Sequence, residues 1–461
     1  MSRVERGIFL AENDKYNLSE GPIFGKLLNI AVPIMGSQLV QMAYSLIGMF
    51  WLGRVGSDAV AASGTAGMYT WMAVAFMAFG RMGAEIGVSQ NLGRGDENTA
   101  KTYVQTSFSL ALLLGLVFGI VMIFGRGFLI GFFNIKEASV AASAENYLAI
   151  TGFAMPFNFL LNAGGGTYNG SGNSRLPFYI NAICLSVNIV LDPILIFVFD
   201  LGVEGAALAT VISQLLGFIL FIWAMKFYKN RLFKEIKLFE TIDKKVLKQI
   251  FKWAMPIALE SFLFTFLLMF ISKFVTEFGT GAMAAQRIGG QIESLSWFVA
   301  SGFSTAMAAF TGQNFGAGKW RRIHEGFRLS TIMMGTWGII VTAILFFGGG
   351  FIFSLFLPNE PEVIETGANY MKILALCQIL SCLENITSGT FRGLGNTIPP
   401  SLVSITSNFI RMIAAYFLSK TSMGLDGIWW ALTLGAMLRG GWMFSWYKLY
   451  ARKLPKADNI G

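Results

Sequence analysis

The sequence predicts an all-α integral membrane protein with twelve transmembrane helices, arranged as two parallel six-helix repeats, an N-lobe and a C-lobe, around a central cleft. Three observations predict it. The 461 residues are 54% hydrophobic and only 13% charged, with a mean hydropathy of +0.59, whereas an ordinary soluble domain is about 25% charged. Apolar runs approaching the roughly 20 residues needed to cross a bilayer recur from Leu27 to Trp446. A single numerical offset, 223, carries much of the first half of the chain onto the second.

The apolar runs centre near Gln41, Val74, Gly115, Phe153, Ile189 and Gly217, then Leu263, Trp297, Gly335, Ala375, Phe409 and Gly435. They divide the chain into a cytoplasmic N-terminal segment (1–25), an N-lobe (26–229), a cytoplasmic linker (230–247), a C-lobe (248–450) and a cytoplasmic tail (451–461). The first 25 residues contain Arg3, Glu5, Arg6, Glu12, Asp14 and Lys15 and no cleavable apolar segment, so no signal peptide is expected there. Short cytoplasmic loops retain Lys and Arg. With the N-terminus inside, the cytoplasmic turns carry Arg94, Lys101, Arg175, the tract Lys226 to Lys252, Lys319, Arg321 and Arg322. The opposite side is poorer in basic residues and holds Asp58, Asp200, Glu204, Glu360, Glu362, Glu365 and Asp426. A multi-pass protein of the cell (plasma or inner) membrane with both termini cytoplasmic follows. The net charge of +9 is then a topology signal and a lipid-headgroup contact, not a nucleic-acid footprint.

Other chemistries find little support. Cys184, Cys377 and Cys382 all lie in apolar spans and read as packing residues. The single histidine, His324, falls in the cytoplasmic stretch "KWRRIHEG". With no nucleophile motif beside it, an enzyme is not expected.

The offset is gap-free over about 145 positions. Pro33 maps to Pro256, Gly56 to Gly279, Gly67 to Gly290, "QNLGRG" (90–95) to "QNFGAG" (313–318), and "GTYNGSGNSRLP" (166–177) to "GTFRGLGNTIPP" (389–400). Further on, "GVEGAALA" (202–209) matches "GLDGIWWA" (424–431) at 222. Six spans per repeat is an even number, so both halves enter the membrane in the same direction, as in transporters built from parallel repeats. No repeated filter residues suggest a channel. The glycine-rich strings lack a following "GK[ST]" and read as tight turns and close helix approaches, not phosphate cradles.

Together "NIVLDPILIF" (188–197), "GVEGAALATVIS" (202–213), both glycine-asparagine loops and "QNFGAG" resemble the multidrug and toxic compound extrusion (MATE) family over nearly the whole chain. The resemblance implies a two-lobe antiporter that exports amphipathic organic cations against inward H⁺ or Na⁺, with no other cofactor. Composition permits such ligands: 43 Phe and 22 Met would let a cavity hold flat apolar bodies and attract cationic centres. The expected partners are small organic cations and membrane lipid, not nucleic acid, and a monomer suffices because two lobes complete a cleft.

An ionised group at the bilayer centre costs about 2.5–3.5 kcal/mol, so charges inside spans are the candidate site. Asp192 leads. Asn188 lies one turn before it on the same helix face, and Pro193 has no N–H for the carbonyl of Ile189. The Asn188 amide, the Asp192 carboxylate and that carbonyl would suit Na⁺ or a protonatable carboxyl. The resemblance places Asn188, Asp192 and Thr210 in the coupling-ion site of the N-lobe. Many relatives carry an acid in the first span four residues after a tyrosine; here Tyr44 is followed by Gly48. Glu85 is a substitute acid, or else the ion-pair partner of Arg81.

The offset pairs Asp192 with Ala415, Asn188 with Arg411 and Glu85 with Ala308. The C-lobe instead carries Glu260, Glu293 and Glu384, facing Ser37, Thr70 and Leu161. These three, with Gln38, Tyr44 and Arg411, are the candidate lining of a substrate cleft. Arg411 either locks onto Glu260 or Glu384, or leaves them as an acidic wall. Alternatives to the antiporter are a lipid-linked-sugar flippase of related architecture, whose basic cleft would rest on Arg287, Arg411 and Arg439, and a non-transporting membrane receptor.

Overall fold

The computed structural model describes residues 16–135, 137–227, 242–356 and 360–455. Most of the linker, including Arg231, Lys234 and Lys237, lies outside them, as do residues 1–15, Lys136, Lys229 and the end of the tail from Lys456. The described chain is a succession of helices: α1 Ile23–Val55, α2 Ser57–Gly93, α3 Glu97–Phe124, the short α4 Arg126–Gly131, α5 Ala138–Gly170, α6 Arg175–Pro193, and α7 Gly202–Phe227. A second set follows: α8 Lys244–Thr276, α9 Thr280–Gly316, α10 Trp320–Phe356, α11 Pro361–Ala375, α12 Gln378–Gly393, α13 Ile398–Ser419 and α14 Gly424–Ala451. With α4 as a short appendage and α11 and α12 forming one bent span, these are the twelve expected spans. A 33-residue helix such as α1 is about 50 Å long at 1.5 Å per residue, ample for a bilayer. Among the described residues, seven helices meet a strict length-and-hydropathy requirement for crossing, eight with the α11–α12 pair. α2, α5, α9 and α14 fall short; each is rich in glycine, which suits close packing against other helices.

The duplication is visible in local structure. Gly95 and Gly318 have φ of 75° and 69°, and Gly172 and Gly395 have 86° and 73°. Each ends a helix in the left-handed region that glycine occupies without penalty. Asn91 and Asn314 donate to the carbonyl four residues back, at 2.7 and 2.8 Å. Asn146 donates to Glu204 at 2.6 Å, and its repeat counterpart Asn369 donates to Asp426 at 2.8 Å. That recurring amide–carboxylate pair ties α5 to α7 and α11 to α14.

The chain forms two compact units. The first is built on Val32–Ala258 and the second on Leu18–Ala31 together with the chain from Leu259 onward. Both boundaries cut helices beside repeat-related prolines, Pro33 in α1 and Pro256 in α8. In the first unit, Val246, Ile250 and Ala254 of α8 enter a core with Phe79, Met82 and Leu110. Tyr103 stacks on Trp253 with centroids 5.6 Å apart.

In the second unit the segment before α1 is strapped to the α9–α10 turn. Gln313 accepts from the Leu18 N–H at 2.9 Å, Asn314 and Arg322 donate to the Leu18 carbonyl at 3.2 Å each, and Arg322 also reaches the Gly21 carbonyl at 3.0 Å. Lys319 donates to the Ser19 carbonyl at 3.0 Å. Backbone groups with no helix of their own must find partners, and "QNFGAGKWRR" supplies them. Arg322→Ala removes two of these donors, so trypsin is expected to cleave at Lys26 several-fold faster than in wild type, read by intact-mass analysis.

The tenth span bends by 49° between α11 and α12, although no proline or glycine lies at the break. The freed carbonyls are met by neighbours. Thr342 of α10 donates to Ala375 O at 3.0 Å, and Thr433 of α14 donates to Ile373 O at 3.2 Å. A break at membrane depth is tolerated when hydroxyls from adjoining helices satisfy the backbone.

Candidate functional site

In the first unit the acid and amide singled out on α6 come together. Asn188 Nδ2 donates to Asp192 Oδ1 at 3.1 Å, and the two residues are 1% and 2% exposed. The carboxylate is therefore inside protein, not against lipid. After Pro193 the helix widens into a π turn, Ile194–Val198, with Phe199 N–H donating to the carbonyl five residues back at 3.0 Å. π turns gather where a helix is distorted for use. Asn188 meets Asp192 as a hydrogen-bond donor, so its amide oxygen remains the group offered elsewhere.

Thr210 of α7 does not bond Asp192 directly. Its hydroxyl accepts from the Tyr44 hydroxyl at 2.9 Å and donates to Ala206 O at 3.1 Å. Tyr44 and Tyr147 both lie within electrostatic reach of Asp192. Tyr147 was not among the sequence candidates: nothing in its spacing along α5 marks it. Among the described residues no three or more His, Cys, Asp or Glu side chains form a cation cluster. A cation at Asp192 would therefore draw on amide, hydroxyl and backbone oxygens. Glu85, 1% exposed, stands 3.5 Å from Arg81 Nε, the ion-pair option of the two left open by the sequence. Gln38 is half-buried on α1.

In the second unit the acids divide. Glu384 of α12 pairs with Arg439 of α14 at 3.3 Å, so Arg439, not Arg411, is the lock. Glu293 of α9 accepts from Gln378 Nε2 at 3.5 Å, and Gln378 in turn accepts from Ser296 at 3.2 Å. The break before α12 is what places Gln378 at the head of a helix with its side chain on Glu293. Glu260 of α8 lies beside Ser401 and Ser404 of α13. Arg411 lies over the Phe264 ring, 5.5 Å from its centroid, in space left open by Gly435, where a Cβ would come within 2.9 Å of it. Breaking one side of a desolvated ion pair strands a charge, at about 3–5 kcal/mol for a fully buried pair. Glu384 and Arg439 side chains are 12% and 15% exposed. Glu384→Gln is therefore expected to cost about 3 kcal/mol. The double substitution with Arg439→Gln should cost less than Glu384→Gln alone, as detergent-solution melting would show.

Two units of like architecture, each a helical bundle with titratable groups buried inside it, match the two-lobe membrane transporter that the repeat predicts. The MatE family model matches twice, over residues 33–194 and 256–417, two copies displaced by the same 223 residues as the internal repeat. The chain belongs to the MatE family. It is 26% identical over 419 residues, 88% of either chain, to the probable multidrug resistance protein NorM of Thermotoga maritima. It is 24% identical to the multidrug export protein MepA of Staphylococcus aureus, across 93% of this chain and 94% of that one. The fold matches a multidrug resistance MATE transporter solved in an outward-facing conformation, at TM-score 0.88 and 21% identity, over 95% of this chain and 99% of that one.

Proposed function

We propose that this chain is a secondary antiporter of the cell membrane, with cytoplasmic termini, that exports amphipathic organic cations in exchange for H⁺ or Na⁺. The observation that carries the reading is the buried Asn188–Asp192 pair beside a proline and a π turn. An acid kept out of water is costly to retain without use, and its amide partner leaves it able to exchange a proton or a small cation. Tyr44 and Thr210 sit close by as orienting hydroxyls, and movement of the two lobes would expose the site to either side in turn. The C-lobe acids Glu260 and Glu293 are suited to the cationic centre of a substrate. The export functions in the names of the NorM and MepA relatives support the same reading. No observation favours a flippase over this.

The experiment is ethidium transport in proteoliposomes of the full chain, driven in turn by a pH gradient and a Na⁺ gradient. Uptake driven by one of them supports the proposal and identifies the ion. Uptake driven by neither, with protein correctly inserted, overturns it.

A further inference from the structure

The second unit contains two arginines and three glutamates in one polar cluster, yet the pairing is incomplete. Glu384 is held by Arg439 and Glu293 by Gln378. Arg411 has no ion pair or hydrogen bond among the described residues: its Nε and Nη2 are shielded from solvent and unpartnered, as is the Nε of Arg439. Arg411 and Arg439 are close enough to repel each other, and Glu293 is close enough to attract both. A guanidinium cannot shed its charge as a carboxyl does, and N–H groups left without acceptors in a dry site carry the full desolvation penalty. A missing acceptor is the simplest completion of this arrangement.

The repeat shows that this is a departure from the shared plan. Arg411 occupies the position of Asn188, and the buried Ala415 that of Asp192. Where the first lobe has an amide and an acid, the second has a fixed cation and no acid. Nor does the architecture hold Arg411 for structure: the phenyl ring of Phe264 and the backbone of Gly435 flank it, and neither accepts a hydrogen bond from Nε or Nη2. A planar fork with two parallel donors matches the two oxygens of a carboxylate or the oxygens of a phosphate.

We infer that Arg411 receives the oxyanion of a zwitterionic amphipathic ligand, whose cationic end is met by Glu260 and Glu293. The inference rests on the export reading for its physiological sense, but it is a statement about binding and is tested as one. Two sources carry this chemistry, a soluble zwitterion and a zwitterionic lipid headgroup, and the experiment separates them.

The probes are rhodamine B, which carries a free carboxylate beside its delocalised cation, and rhodamine B ethyl ester, which keeps the cation and loses the carboxylate. Binding is read by fluorescence polarisation on purified full-length protein. Wild type is expected to prefer rhodamine B by about tenfold or more, the worth of one charge-assisted hydrogen bond. Arg411→Gln should erase that preference, and Arg411→Lys, which keeps the charge and loses the fork, should recover only part of it. Equal or tighter wild-type binding of the ester overturns the proposal, and this comparison needs no variant to fold. A preference that survives in folded Arg411→Gln overturns it too. Repeating the measurement in nanodiscs of phosphatidylglycerol with and without phosphatidylethanolamine assigns the source: competition by the ethanolamine lipid that depends on Arg411 makes the headgroup the occupant, and its absence makes it the soluble zwitterion. Failure of gradient-driven ethidium transport would remove the export reading while leaving this preference measurable.

Discussion

Asp192→Asn is expected to reduce gradient-driven ethidium movement in proteoliposomes to the level of empty vesicles, a loss of at least about tenfold, with expression and melting temperature close to wild type. The separation of the two effects follows from the geometry. Asparagine has nearly the shape of aspartate, and its carbonyl oxygen can accept the hydrogen bond that Asn188 Nδ2 now gives Asp192 Oδ1 at 3.1 Å. The buried packing around α6 is preserved, and replacing a buried acid by a neutral amide removes a desolvation cost. What disappears is the one group on α6 whose charge changes when a proton or Na⁺ arrives. Asn188→Ala is the complementary case. It leaves the acid without its donor, so coupling should weaken several-fold but persist, shown by dye transport at a series of driving gradients. Asp192→Asn protein that still transports at the wild-type rate would show that coupling resides elsewhere, with Glu85 the next acid to test.

Much of this was legible in the chain itself, for identifiable reasons. The repeat could be seen because a covalent duplication leaves its register in the numbering, and the positive-φ glycines Gly95, Gly172, Gly318 and Gly395 fall where the offset puts them. Contacts at helical spacing could also be seen: Asn188 with Asp192 and Arg81 with Glu85 are both four residues apart, and four residues is one turn. Pairings between helices carry no such ruler. Arg439 with Glu384 joins α14 to α12, and Tyr44 with Thr210 joins α1 to α7. Neither distance along the chain has meaning before the helices pack, so the sequence offers Arg411 as a partner for Glu260 or Glu384 and does not single out Arg439. The bend before α12 was hidden for a related reason. Nothing at residues 375–378 marks it, and the hydroxyls that meet the backbone there, Thr342 and Thr433, lie on other helices. The division of α1 and α8 between the two units is likewise a tertiary fact, signalled only by Pro33 and Pro256.

Gly389→Ala and Gly166→Ala should each destabilise the protein by about 1–3 kcal/mol, the usual cost of forcing an atom into a filled core. A Cβ at Gly166 in α5 would run into the carbonyl of Arg81 in α2, and one at Gly389 in α12 into the carbonyl of Ser304 in α9. Both obstacles are backbone, so no side-chain rotation relieves them; the helices must separate, and with them the surrounding interdigitated side chains. Arg81 and Ser304 are themselves related by 223, so the two glycines make one contact twice. Being shared between the repeats is not enough to make a glycine essential. Gly67 and Gly290 are also counterparts, yet nothing lies within 4 Å of a Cβ at either, and alanine is the better helix former by up to about 1 kcal/mol. Gly67→Ala and Gly290→Ala are therefore expected to leave the melting temperature unchanged or raised, while Gly166→Ala and Gly389→Ala lower it by several degrees in detergent-solution melting. The two losses should add, because each lies within its own compact unit. If all four variants melt alike, close helix approach at these glycines is not what holds either lobe together.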